Sequence, residues 1–92
     1  MSKVSDDFQR TRFDFLNTEA DLAATFVQVA ETELSIGEPE AAARALAKAR
    51  EAVGVMRHAL ANPLGMSAEQ AELVSEKCGK VEASIERASP KR

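Results

Sequence analysis

Two short breaks divide the chain into three segments, each long enough to form an extended helix. Gly37 suits the left-handed conformation that ends a helix, and Pro39 suits the first turn of the next one. Pro63 lacks a backbone donor and restricts Asn62, so a helix ends there. Ser67, followed by Ala-Glu-Gln, is typical of a capping box. We therefore predict helices over residues 6–36, 39–61 and 68–88.

Apolar residues recur at alternating steps of three and four in all three segments, which predicts one buried stripe on each helix. The first stripe comprises Phe13, Leu16, Ala20, Ala23, Val27, Ala30 and Leu34, the second Ala42, Leu46, Ala49, Val53, Met56 and Leu60, and the third Ala71, Val74, Cys78, Val81, Ile85 and Ala88. The first segment has a further row at steps of seven: Phe8, Phe15, Leu22, Val29 and Ile36. Because the connections are short, sequential helices should be antiparallel. The predicted fold is all-α, an up-down-up antiparallel three-helix bundle.

The length of 92 residues fits one helical domain over residues 1–92, in which residues 1–16 are a candidate overhanging extension of the first helix. The net charge of −3 makes nucleic acid and anionic membranes poor partners. Residues 17–37 carry four acids and no base, and residues 41–61 carry four bases and one acid. These opposite charges predict that helices 1 and 2 pack side by side with their charges at the rim.

The single cysteine, Cys78, lies on the apolar stripe of helix 3, where we expect it to be a small buried hydrophobe. An intramolecular disulfide needs a second cysteine and is therefore excluded. The first residues lack the apolar core of a signal peptide, and no apolar run approaches the length of a membrane span. The expected location is the cytoplasm.

Three of the four phenylalanines lie near the start of helix 1, and they form the candidate interaction surface: Phe8, Phe13, Phe15 and Leu16. These side chains either fold back to cap the core or are covered by another chain, since exposed apolar patches usually mark contact sites. In the second case the partner is another protein or a second copy, which would make a homodimer. Arg10 and Arg12 would then set the register against an acidic partner face.

Residues 26–54 resemble a single tetratricopeptide repeat, a helical hairpin with a sparse pattern of large and small residues. The matching positions are Phe26, Val29, Ala30, Gly37, Ala42, Leu46 and Ala49. Glu33 and Gly54 depart from the pattern, standing where the family has an aromatic residue and a proline. The resemblance implies a protein-binding scaffold rather than a catalyst.

The stretch HALANPL, which begins at His58, resembles the phosphoacceptor box of two-component histidine kinases. Ala59 and Ala61 depart from it, because they replace the acidic residue that would activate the imidazole and a basic residue. Helical geometry places His58 on a solvated face. Histidine phosphotransfer through His58 is therefore the alternative function, and a nucleic-acid contact through the bases of helix 2 is a third possibility.

No residue pattern indicates an enzyme, a metal site, a cofactor or a small-molecule substrate. A di-iron bundle would need Glu-x-x-His pairs, whereas Val55 stands three residues before the only histidine. Gly54 and Gly79 lie inside predicted helices, where we expect close helix–helix contact to compensate for their low helix propensity, with a helix bend as the alternative. The sequence therefore predicts a non-enzymatic bundle that acts through protein–protein contact or self-association.

Overall fold

The computed structural model describes the backbone of residues 3–62 and 65–89, and the side chains of residues 11–62 and 65–89. Within these ranges the chain forms three helices and no strand: α1 (Lys3–Ser35), α2 (Pro39–Ala61) and α3 (Ala68–Ala88). The predicted bounds of α2 and α3 are confirmed. Helix α1 begins three residues earlier and ends one residue earlier than the sequence pattern predicts.

The turn between α1 and α2 closes around Gly37, whose φ of 79° lies in the left-handed region that glycine favours. The amide of Glu38 donates to the carbonyl of Glu33 at 2.8 Å, and the amide of Gly37 donates to that of Leu34 at 3.2 Å. This pair of bonds is the Schellman arrangement, which satisfies the last carbonyls of a helix. Pro39 then opens α2 at its first position.

The predicted capping box starts α3. The Ser67 hydroxyl accepts from the amide of Gln70 at 3.0 Å, and the Gln70 side chain accepts from the amide of Ser67 at 3.0 Å. Two backbone donors that have no partner inside the helix are thereby satisfied.

The helices run up, down and up. A guanidinium nitrogen of Arg12 donates to the carbonyl of Asn62 at 3.1 Å, so the start of α1 lies beside the end of α2. The Lys77 ammonium donates to the side-chain oxygen of Asn17 at 2.7 Å, which joins the parallel pair α1 and α3. The molecule measures 55 × 19 × 15 Å, and α1 with 33 residues is the longest helix. The turns of α1 before Arg12 extend past the end of α2.

The core of the described residues is entirely apolar, and alanine is its most frequent residue type. It contains Leu16, Ala20, Ala23, Val27, Ala30, Ala42, Ala45, Leu46, Ala49, Ala52, Val53, Met56, Ala59, Val74, Cys78, Val81, Ile85 and Ala88. Helices α1 and α2 make the most extensive contact. Small side chains at a contact let helix axes approach closely, so the buried alanines explain why these two helices pack so tightly.

The predicted packing of α1 beside α2 is confirmed, but no ion pair joins the described side chains of these two helices. The one ion pair among the described side chains joins α2 to α3: Arg57 Nε donates to Glu82 at 3.1 Å, and a second nitrogen bonds the other oxygen. The hydrogen bond from Arg57 holds the pKa of the Glu82 carboxyl below its ordinary value. Cys78 is 0% exposed, which confirms that it is a small buried hydrophobe, and this burial raises the pKa of its thiol.

The expectation for Gly54 and Gly79 is wrong. Both glycines are exposed, and a Cβ built at either position meets nothing within 4 Å. No neighbouring helix approaches them closely, so packing does not compensate for their low helix propensity.

Candidate protein-interaction surface

The predicted interaction residues divide between the core and the surface. Leu16 is 1% exposed and belongs to the core, and Phe13 is half-buried against it. Phe15 is 52% exposed. The prediction that these residues form one surface is therefore wrong. Successive helical residues are rotated by about 100°, so neighbours such as Phe15 and Leu16 point in different directions. The side chain of Phe8 lies outside the described residues.

The large exposed apolar side chains of α1 form one row along the helix. Exposure is 52% for Phe15, 44% for Leu22, 41% for Val29 and 65% for Ile36, which follows the last turn of α1. Seven residues complete two helical turns to within about 20°, so this apolar row is nearly parallel to the helix axis. It is the described part of the seven-residue row of the sequence, and it faces solvent while the other stripe of α1 is buried.

Beside the apolar row lies a threonine row with the same spacing, which the sequence analysis missed. Thr11, Thr18, Thr25 and Thr32 each follow three residues after a member of the seven-residue row, and all four are exposed. The Thr25 hydroxyl donates to the carbonyl of Asp21 at 3.0 Å, so its donor is satisfied inside its own helix. The apolar row and the threonine row together make the outer face of α1. Their common period of seven was readable from the sequence.

The outer face continues onto α2 through an open groove of about 220 Å³. Leu22 lies on one side of this groove, Val55 of α2 on the other, and Phe26 is also in its lining. Val55 is 41% exposed. The Lys48 ammonium lies 5.9 Å from the centre of the Phe26 ring, a cation–π contact, and the carboxylates of Glu19 and Glu51 also line the groove. Val55 lies off the predicted apolar stripe of α2, and no sequence pattern indicated it as a contact residue.

Charged side chains flank the outer face asymmetrically. Asp14 and Asp21 lie on one side of it, and Glu19, Glu33 and Arg12 lie on the other. Arg12 was expected to meet an acidic partner, whereas in the structure one of its terminal nitrogens donates to the carbonyl of Asn62 at the end of α2. The Arg12 Nε atom is buried without a hydrogen-bond partner among the described residues.

His58 is exposed in the last turn of α2, as its helical position predicts. Among the side chains the structure describes, no three acidic, cysteine or histidine residues are arranged to hold a metal ion. Nothing in the described geometry gives the imidazole an acidic partner, and phosphotransfer through it stays a prediction.

Within the described ranges, none of the three helices has an apolar stretch that could span a membrane. Comparison of the chain with protein-family models, with curated proteins and with solved structures found no match. The fold and the outer face of α1 are therefore the basis for assigning a function.

Proposed function

We propose that this protein is a non-enzymatic interaction module. Its outer α1 face binds another protein chain, which is either a different protein or a second copy of this chain. The proposal depends on the observation that four large apolar side chains are exposed in one row along α1 and the residue after it, while Ala20, Ala23 and Ala30 of the same helix are buried. Exposed large hydrophobics that are contiguous, unlike scattered ones, mark contact sites.

The physical basis of binding would be removal of the outer face from water. Burial of apolar surface contributes about 25 cal/mol per Å², and a long helix offers a rigid row whose ordering costs little entropy on association. The hairpin of residues 26–54, with its resemblance to a tetratricopeptide repeat, is consistent with the same role. We place the protein in the cytoplasm as part of this proposal.

Site-specific photo-crosslinking in the source cells tests the proposal. A crosslinking amino acid at Leu22 should give discrete protein adducts, and the same group at Leu73 of α3 should not. Leu73 is the matched control because its exposure of 46% is close to the 44% of Leu22. Equal adduct yields at the two positions would contradict the proposal.

Phosphotransfer through His58 is the rival function, supported only by the exposure of that residue and its sequence context. Incubation with acetyl phosphate followed by intact mass measurement tests it. We expect no phosphate on the wild-type chain. An acid-labile phosphate that His58→Asn abolishes would favour the rival.

A further inference from the structure

We propose that the outer face of α1 binds the outer face of a second copy of this chain, with the two α1 helices antiparallel and their centres near residues 23 and 24. This inference deepens the proposed function and rests on it. It assigns the partner, the orientation and the register.

The seven-residue period is the first argument. Two helices that repeat their contact residues every seven positions can stay in contact over their whole length by supercoiling gently. The threonine row follows the apolar row by three residues, as the second contact position of such a repeat requires. A partner helix would therefore meet alternating large apolar residues and threonines.

Side-chain size favours the antiparallel orientation. In that register Leu22 lies opposite Thr25 of the second copy, and Val29 lies opposite Thr18. Each layer then combines one large and one small side chain, which gives evenly filled layers. A parallel pair would instead place Phe15 against Phe15 and Thr25 against Thr25, so that layers alternate between crowded and loose.

Charge favours the same orientation. The antiparallel register brings Glu33 of the second copy to the side of α1 where the Arg12 guanidinium lies, bound to the Asn62 carbonyl of its own chain. It also brings Glu19 opposite Phe26, and Lys48 lies over the ring of Phe26. Each attraction occurs twice by symmetry. A parallel pair places the like charges of Asp14 and Glu19 side by side, also twice.

Among the side chains that the structure describes, a parallel pair has one favourable contact, between Asp21 and Lys48 of the second copy, which offsets part of the repulsion between Asp14 and Glu19. The macrodipoles of neighbouring helices also attract only when the helices are antiparallel. These electrostatic contacts therefore favour the antiparallel pair.

The outer face has apolar surface to bury in such a dimer, because Phe15, Leu22 and Val29 are 52%, 44% and 41% exposed. Burial of Thr25 in the dimer leaves its hydroxyl donor paired, because that hydroxyl already donates to a carbonyl of its own helix.

Engineered disulfides test orientation and register on the purified full chain. Val29→Cys mixed with Thr18→Cys should form the mixed disulfide about tenfold or more faster than either variant forms its own homodimer, because only the mixed pair is opposed. In the antiparallel register each new cysteine lies about 16 Å along the helix axis from the same cysteine of the second chain, which is too far for a disulfide. The wild-type chain, whose only thiol is the buried Cys78, is the blank.

The possible results separate this inference from the proposed function. Rapid homodimers of each single variant would overturn the antiparallel orientation but leave the outer face as a contact surface. No disulfide in any mixture, with a mass of 9.9 kDa at every concentration, would overturn self-association. The crosslinking at Leu22 would then decide whether the face binds a different protein.

A charge reversal gives a second test that needs no thiol. Glu19→Lys should weaken an antiparallel dimer, since it places a lysine opposite Lys48 of the second copy, and adding Lys48→Glu should restore it. The same Glu19→Lys change would strengthen a parallel dimer by removing the repulsion from Asp14. A tighter dimer would therefore overturn the inference.

Discussion

Replacing Ala49 with leucine tests whether close packing through alanine holds the bundle together. Ala49 is fully buried in α2, as are Ala23 and Ala30 of α1. A leucine at position 49 carries a branched four-carbon side chain where a methyl group now fills the space. The helices must move apart or the leucine must adopt a strained rotamer.

The expected loss of stability follows from measured cases of overpacking, which cost about 1–3 kcal/mol. A chain of this length has a total stability of roughly 5–14 kcal/mol, so the change removes a substantial fraction. At about 4–8 °C per kcal/mol for a domain of this size, the melting temperature should fall by roughly 4–24 °C.

Urea denaturation followed by circular dichroism, at one low protein concentration for every variant, measures this loss. Ala47→Leu is the matched control, because Ala47 lies on the exposed side of the same helix. The control should change stability by less than about 0.5 kcal/mol. If Ala49→Leu and Ala47→Leu have the same stability, the alanine contacts are not close and the packing argument is refuted.

Three further substitutions test local features by the same denaturation assay. Gly79→Ala should stabilise the chain by about 0.5–1 kcal/mol, since a Cβ there meets nothing within 4 Å; a loss would mean that the position is packed. Ser67→Ala should cost about 1 kcal/mol because it removes the cap of α3, and no change would contradict the capping bond. Glu82→Gln should cost about 0.5 kcal/mol near neutral pH, because its pair with Arg57 is half-exposed. The pKa of Glu82 is lowered in the folded chain, so this stabilisation is present above the unfolded-state pKa of about 4.3 and should vanish as the pH falls below the folded-state value.

The fold could be predicted from the sequence because the residues that end and start the helices have strong conformational preferences. Gly37 and Pro39 define the first turn, and the Ser67 capping box fixes the start of α3 to the residue. Local chemistry of this kind acts within a few residues, so it is visible in the sequence. The contact of Arg12 with Asn62 joins residues fifty positions apart, and no local pattern predicts it.

Only part of the candidate interaction surface could be predicted from the sequence. The spacing of three and four predicted the buried stripe of α1 correctly, and the row through Phe15, Leu22 and Val29 is visible as a period of seven. The sequence does not say whether this second row lies in solvent or under another helix. Bulk alone favours burying the larger side chains. In the structure the stripe with Ala23 and Ala30 is buried instead, since α2 is itself rich in alanine and the two helices approach through small residues. The larger row remains outside.

The most direct test of the outer face is the molar mass of the purified chain across a range of concentrations, by size exclusion coupled to light scattering. Protein concentration should be measured by refractive index, because the chain has no Trp or Tyr to absorb ultraviolet light. We expect the wild type and Leu73→Glu to approach twice 9.9 kDa as concentration rises, and Leu22→Glu to remain at 9.9 kDa with an unchanged helical spectrum. If Leu22→Glu associates as the wild type does, the outer face of α1 is not the contact surface.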